Sequence, residues 1–138
     1  MPTFKIFDIA GSGMNAQSIR LNLVASNLSN ANSVSSSVGA TYKSRQPVFA
    51  VQLQNAMDKQ NAASGVQVKG VVESPAPLQM EYNPNHPLAN KEGYIFRSNV
   101  NTVEEMANMM SASRSYQNNV EVLNTAKELI LQTLRMGQ

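Results

Sequence analysis

Few residues in this chain could do chemistry, and their spacing does not suit it. His86 is the single histidine among 138 residues, and there is no cysteine. A zinc or di-metal site needs several imidazole, thiolate or carboxylate donors at matched spacing. No second donor stands at ligand spacing from His86, so no metal is expected. A histidine in the turn Asn83-Pro-Asn-His-Pro reads as a hydrogen-bonded loop residue. There is no Ser-His-acid set, no pair of catalytic carboxylates and no glycine-rich phosphate loop. Gly11-Ser12-Gly13 is not followed by the rest of a dinucleotide fingerprint. Met106, Met109 and Met110 are either an adaptable binding surface or plain packing at helical spacing. No catalytic residue, metal or cofactor is expected, and an enzyme is the weakest of the functional classes.

Composition narrows the partners. Charged residues make up 14% of the chain and the formal net charge is +2, which argues against strong electrostatic recognition. The eleven Lys and Arg are scattered, without the basic face of a nucleic-acid binder. No apolar run approaches the ~18 residues of a membrane span, so direct membrane insertion is not expected. The N-terminus Met-Pro-Thr-Phe-Lys-Ile-Phe-Asp lacks the features of a secretory signal. The sequence implies a cytoplasmic protein, or one exported by a route that reads no such signal.

What the residues are suited to is packing. From Tyr94 to Met136 there is neither Gly nor Pro. Thr102-Val-Glu-Glu predicts a helix start, with the Thr102 hydroxyl accepting from the amide of Glu105. Arg135 and Gly137 suit the end. One stripe runs Met106, Met109, Ser113, Tyr116, Val120, Leu123, Lys127, Ile130, Leu134, stepping by three and four as a coiled-coil seam does. A second long helix is predicted over Thr3 to Asn30, with Phe7, Ala10, Met14, Gln17, Leu21, Val24 and Leu28 in the same rhythm. Gly11 and Gly13 either weaken it or admit a close neighbour. It carries only Lys5, Asp8 and Arg20 as charges, so it should order when surrounded rather than alone. Asn22, Asn27, Asn30 and Asn32 crowd its end; buried amides would fix register, and exposed ones would simply face solvent.

Between the helices, residues 34–39 form a Ser-rich linker. Residues 40–97 read as a small β-rich insert with a Pro-rich loop. Pro47 to Leu53 suggests a strand with Pro47 first or on an edge. Gly65 to Glu73 is the clearest strand pattern, with Gly70 at a bulge or bend. Leu78, Met80 and Tyr82 alternate again, and Tyr94 to Phe96 make a last short strand. The expected fold class is mainly α: residues 1–33 and 98–138 as a helical coiled-coil axial domain, with the β-rich insert between its two long helices.

Two passages resemble a known family. Leu21-Asn-Leu-Val-Ala-Ser-Asn-Leu-Ser-Asn-Ala-Asn is similar to the signature that closes the first helix of the flagellar rod and hook proteins. Asn99-Val-Asn-Thr-Val-Glu-Glu-Met-Ala-Asn-Met-Met-Ser-Ala-Ser-Arg-Ser-Tyr-Gln-Asn-Asn resembles their C-terminal motif. Asn83-Pro-Asn-His-Pro-Leu-Ala-Asn-Lys-Glu-Gly-Tyr looks like a segment of one rod member, with Leu88 and Asn90 in place of its usual acids. The resemblance implies a structural subunit of the bacterial flagellar basal-body rod, a drive shaft crossing the periplasm. It also implies export through the flagellar type III apparatus without a cleaved signal. Implied partners are copies of the chain, other rod proteins, and membrane-ring or rod-adaptor proteins at the rod base.

The assembly interface is expected on Phe7, Met14, Leu21, Val24, Leu28, Met106, Met109, Tyr116, Val120, Leu123, Ile130 and Leu134. Phe49 and Leu53 resemble an element that early export substrates show to the export gate; the plain alternative is Phe49 in the core of the insert. A reading in another class is a soluble coiled-coil adaptor or chaperone that binds a helical client.

Overall fold

The computed structural model describes residues 2–52 and 65–137. A long helix lies at each end of the chain, α1 (Pro2–Ser29) and α2 (Thr102–Met136). The strands between them are β1 (Val34–Ser35), β2 (Arg45–Gln52), β3 (Gly65–Glu73), β4 (Gln79–Tyr82) and β5 (Tyr94–Arg97). β2 and β3 form an antiparallel hairpin, and a second antiparallel sheet runs β1-β5-β4.

The cap of α2 corrects the Thr102 expectation. Asn101 is the N-cap, and its side-chain oxygen accepts from the amides of Val103 at 3.1 Å and Glu104 at 3.4 Å. Asparagine caps as well as serine or threonine do. The shift by one residue leaves Glu105 free to turn inward, where it is buried.

The two helices lie antiparallel. Arg20 donates to the side-chain oxygen of Asn108 at 3.0 Å, Gly13 faces Asn119, and Ile6 shares a groove with Val122, Ala126 and Leu129. The inward line on α2 is Glu105, Met109, Ala112, Tyr116, Asn119, Leu123, Ala126, Ile130, none of them exposed. Half of the expected seam is present in this line. The other half is displaced by one residue, so that Glu105, Ala112, Asn119 and Ala126 replace Met106, Ser113, Val120 and Lys127.

This displacement overturns the expected fold class. About half of the described residues are helical and 22% are strand, so the chain is α+β rather than mainly α, and the helix pair is not plainly a coiled coil. A coiled coil buries large knobs from both helices. Here the buried apolar residues of the two helices are Ala10, Ala16, Val24, Ala112 and Ala126, while Met106 and Leu134 face solvent. Small residues take most of the fully buried positions, and the large residues on the inward line of α2 are only half-buried. α1 is also shared, since it packs against β2 and β3 as well as against α2.

The hairpin spans the expected strand at Gly65–Glu73, and its register slips between Val48 and Phe49, opposite Gly70 and Val68. Lys69 is therefore the extra residue of a bulge beside Gly70. Pro47 lies within β2, which a two-stranded ribbon tolerates because each strand is an edge. In the second sheet the Tyr82 and Tyr94 rings meet edge-on at 5.1 Å. Gly93 beside them has φ +83°, and a Cβ there would stand 2.8 Å from the Tyr82 ring. His86 sits in the loop between β4 and β5, where its Nδ1 accepts from the amide of Leu88 at 3.1 Å. Among the described residues no cluster of donors could hold a metal, and no helix is long and apolar enough to cross a membrane.

The two glycines of α1 separate the alternatives left by the sequence. A Cβ on Gly11 meets nothing within 4 Å, whereas one on Gly13 would stand 2.9 Å from the Asn119 amide nitrogen. Gly11→Ala is expected to stabilise the protein by about 1 kcal/mol through helix propensity alone. Gly13→Ala should lose most of that gain against Asn119. Urea unfolding of the two variants beside the parent checks the difference; equal gains would contradict the close approach.

Candidate functional site

The site is a rigid junction that carries open helical faces. It is built around Asn27, at the end of α1, which is 1% exposed. Its amide nitrogen donates to the carbonyl of Arg45 at 2.9 Å, and its oxygen accepts from the amide of Arg45 at 2.9 Å. The side chain thus pairs with one residue of β2 as a neighbouring strand would. The same oxygen accepts from the Tyr42 hydroxyl at 2.8 Å. Because Tyr42 has given its proton to Asn27, the Ser26 hydroxyl, 3.2 Å away, donates to Tyr42. The Arg45 guanidinium lies 5.5 Å from the centre of the Tyr42 ring. Its ion pair with Glu73, at 3.6 Å and about half exposed, adds little.

Asn99 makes the matching connection ahead of α2. Its oxygen accepts from the amide of Ser44 at 2.8 Å, and its nitrogen donates to the carbonyls of Ala76 at 2.8 Å and Ser74 at 3.4 Å. Two asparagines, one at the end of α1 and one in the connection ahead of α2, therefore hold adjacent residues, Ser44 and Arg45. Ser98, beside Asn99, is buried, and its amide donates to the carbonyl of Ser33.

Away from this junction α2 is open. Val103, Met106, Met110, Val122, Leu129, Leu131, Leu134 and Met136 are all exposed. A groove of about 480 Å³ runs between Ile6, Val122, Ala126 and Leu129. Apolar exposure on this scale along one helix marks an interaction surface rather than scattered surface residues.

The expected interface residues divide accordingly. Val24 is buried; Phe7, Met14, Leu21, Leu28, Met109, Tyr116, Val120, Leu123 and Ile130 are half-buried; Met106 and Leu134 are exposed. Phe49 is 40% exposed on β2; Leu53 lies outside the described residues. Of the crowded asparagines, Asn22 and Asn32 face solvent, Asn30 bonds back to the carbonyl of Ser26, and Asn27 is the pin. The pinning roles of Asn99 and Tyr42 were not read from sequence. The available signal was a polar residue, Asn27, three after Val24 and four before Ala31, on the helix's most buried line.

Substituting the pin should be costly. Asn27→Ala leaves the amide and carbonyl of Arg45 without their partner, and is expected to destabilise by about 2–3 kcal/mol. Asn99→Ala, at a more exposed site, should cost about 1–2 kcal/mol. Because both hold one short segment, the double variant should depart from additivity. Chemical denaturation of the four proteins measures this.

Comparison with known proteins places these features. Residues 7–35 match the family model described as flagella basal body rod protein, and residues 91–136 match that of the flagellar basal body rod FlgEFG protein C-terminal region. The matched segments contain most of α1 and all of β1, β5 and α2, the elements that contact one another across the fold. The chain is 51% identical to the flagellar basal-body rod protein FlgC of Escherichia coli O6:H1 over the full length of both. It is also 51% identical to FlgC of Salmonella typhimurium strain LT2, and 44% identical to FlgC of Buchnera aphidicola subsp. Acyrthosiphon pisum, again over the full length of each.

Proposed function

The chain belongs to the flagellar basal-body rod protein family that includes FlgC, and from that premise we propose how this subunit works as a part of the rod. It is a structural subunit of the flagellar basal body and not an enzyme. Assembly with other rod and basal-body proteins follows from the family.

The observation that carries the mechanism is the outward face of α2. Large apolar residues there are exposed to solvent, while the fully buried apolar positions of the inward face are alanines. A subunit that works alone would bury such residues. One that works inside a shaft leaves them for its neighbours. Copies of this chain and other rod proteins pack helix face to helix face on Val103, Met106, Met110, Val122, Leu129 and Leu134. The half-buried residues Phe7, Met14, Leu21, Leu28, Met109, Tyr116, Val120, Leu123 and Ile130 lie at the edges of those contacts, and Val24 supports them from within. Torque passes through this packing, and the pinned junction keeps the β-sheets and the helices moving as one piece.

The subunit leaves the cytoplasm through the flagellar type III apparatus and takes its place in the rod that spans the periplasm. Membrane-ring and rod-adaptor proteins contact it at the rod base. Phe49, exposed on β2, is the residue offered to the export gate while the chain is unfolded.

A double substitution on the outer face tests this. Val122→Asp with Leu129→Asp changes residues that are already exposed, so monomer stability should move by less than about 0.5 kcal/mol. Rod assembly should fail, and cells carrying the variant should not swim. Normal swimming with the variant as sole copy would contradict the reading. Full helix content with the protein retained in the cytoplasm would favour a soluble adaptor.

A further inference from the structure

We propose that the outermost line of α2 is a charge ladder through which copies of this chain pack side by side in one direction, each displaced from the next by two heptads. The inference rests on the rod-subunit reading and names the offset between neighbours within it.

Past Glu105, the charges of α2 are Arg114, Glu121, Lys127, Glu128 and Arg135. Arg114, Glu121, Glu128 and Arg135 stand seven residues apart, and all of them are exposed. Seven residues are close to two turns, so these side chains form one line. It lies on the far side of the helix from the buried positions Glu105, Ala112 and Ala126. Charges on a lone helix gain from opposite charges three or four residues away, and none of these has one. Successive members of the line are about 10 Å apart along the axis. The ion pairs among the described residues are Arg45 with Glu73 and Arg97 with Glu81, so neither the line itself nor another element neutralises it.

The order of signs, plus, minus, minus, plus, selects how a second copy fits. With two copies pointing the same way at one height, every charge meets its own sign. A shift of one heptad pairs Arg114 with Glu121 and Glu128 with Arg135, but sets Glu121 against Glu128. A shift of two heptads pairs Arg114 with Glu128 and Glu121 with Arg135, and leaves no like pair. A shift of three sets Arg114 against Arg135. The two-heptad shift is about 21 Å along the helix. It also brings Met136, 86% exposed, level with Val122, 47% exposed. Lys127 points about 100° round the helix from Glu128 and takes no part.

This contact joins two different surfaces. Arg114 and Glu121 of one copy hold Glu128 and Arg135 of the next, and each copy keeps its other half for a third. A straight helix drifts by about 20° per heptad, so the two halves point about 40° apart and successive neighbours are turned relative to one another. A contact that repeats an axial shift builds an open helical array and not a ring. Antiparallel copies can also match charges, Arg114 with Glu121 or Glu128 with Arg135, but such a twofold pair is closed by its second copy and cannot extend a shaft.

The chain has no cysteine of its own, which permits a direct test. Asn118→Cys and Gln132→Cys, both exposed and two heptads apart beside the ladder, are made as separate full-length variants. A short bis-maleimide should join the two when they are mixed at high concentration, and should join neither to itself. Glu121→Arg with Glu128→Arg, added to both, should cut the yield about fivefold or more, the scale of exposed pairs turned from attraction to repulsion. Further adding Arg114→Glu with Arg135→Glu restores the pattern with its signs exchanged, and should recover the yield. No product in the mixture overturns the proposal. Equal product from either variant alone, the mark of a twofold pair, overturns it too, as does a yield that the charge reversal leaves unchanged. Whether the unmodified chain is found in purified basal bodies is a separate measurement, so the rod-subunit reading and this offset can fail independently.

Discussion

The amide of Asn27 is the interaction the rest of the structure depends on. It replaces a strand partner for one residue, Arg45, and so joins a helix end directly to a sheet. A backbone amide and carbonyl brought this close to a helix would otherwise be buried unpaired, at a cost of a few kcal/mol. The Tyr42 hydroxyl fills the remaining lone pair of the same oxygen and fixes which way the amide points. Asn99, in the connection between β5 and α2, holds Ser44 in a similar way. The start of the hairpin is therefore tied to the end of α1 and to the approach to α2 at one place, and the direction in which it projects is set there.

With that frame fixed, the helix pair can do without a deep hydrophobic interior. Alanines and one glycine bring α1 and α2 together, with Met109, Tyr116, Leu123 and Ile130 only half-buried beside them and other large apolar residues of α2 left exposed. This is an inversion of what an isolated domain needs, and it suits a part whose environment is other copies of similar parts. The same logic accounts for the low proportion of charge: a surface destined to be covered has little use for hydrated groups. Buried Glu105 fits the pattern, as a polar residue whose Oε2 has no hydrogen-bond partner among the described residues.

Much of this was legible in the residues. The absence of Gly and Pro from Tyr94 to Met136 marked the long second helix, and the alternation in Gly65–Glu73 marked its strand. The flagellar motifs at Leu21–Asn32 and Asn99–Asn119 pointed to the family. Three things were not legible. A three-and-four rhythm identifies a helix but leaves its rotation open, so that Glu105, Ala112 and Ala126 are buried within the chain where Met106, Ser113 and Lys127 had the expected rhythm. Capping by Asn101 rather than Thr102 rests on backbone geometry, because both side chains can serve. The pairing of Asn27 with Arg45 joins residues whose partnership appears only once the hairpin folds back on α1.

The central claim is that a pinned frame presents helical faces which neighbours complete. Hydrogen exchange of the purified subunit, compared with the same chain in intact basal bodies, tests it most directly. The account predicts that the amides of Ser44 and Arg45 are protected in both states, while those of residues 127–136 exchange readily in the free subunit and become protected in the rod. Equal protection of residues 127–136 in the two states would contradict it.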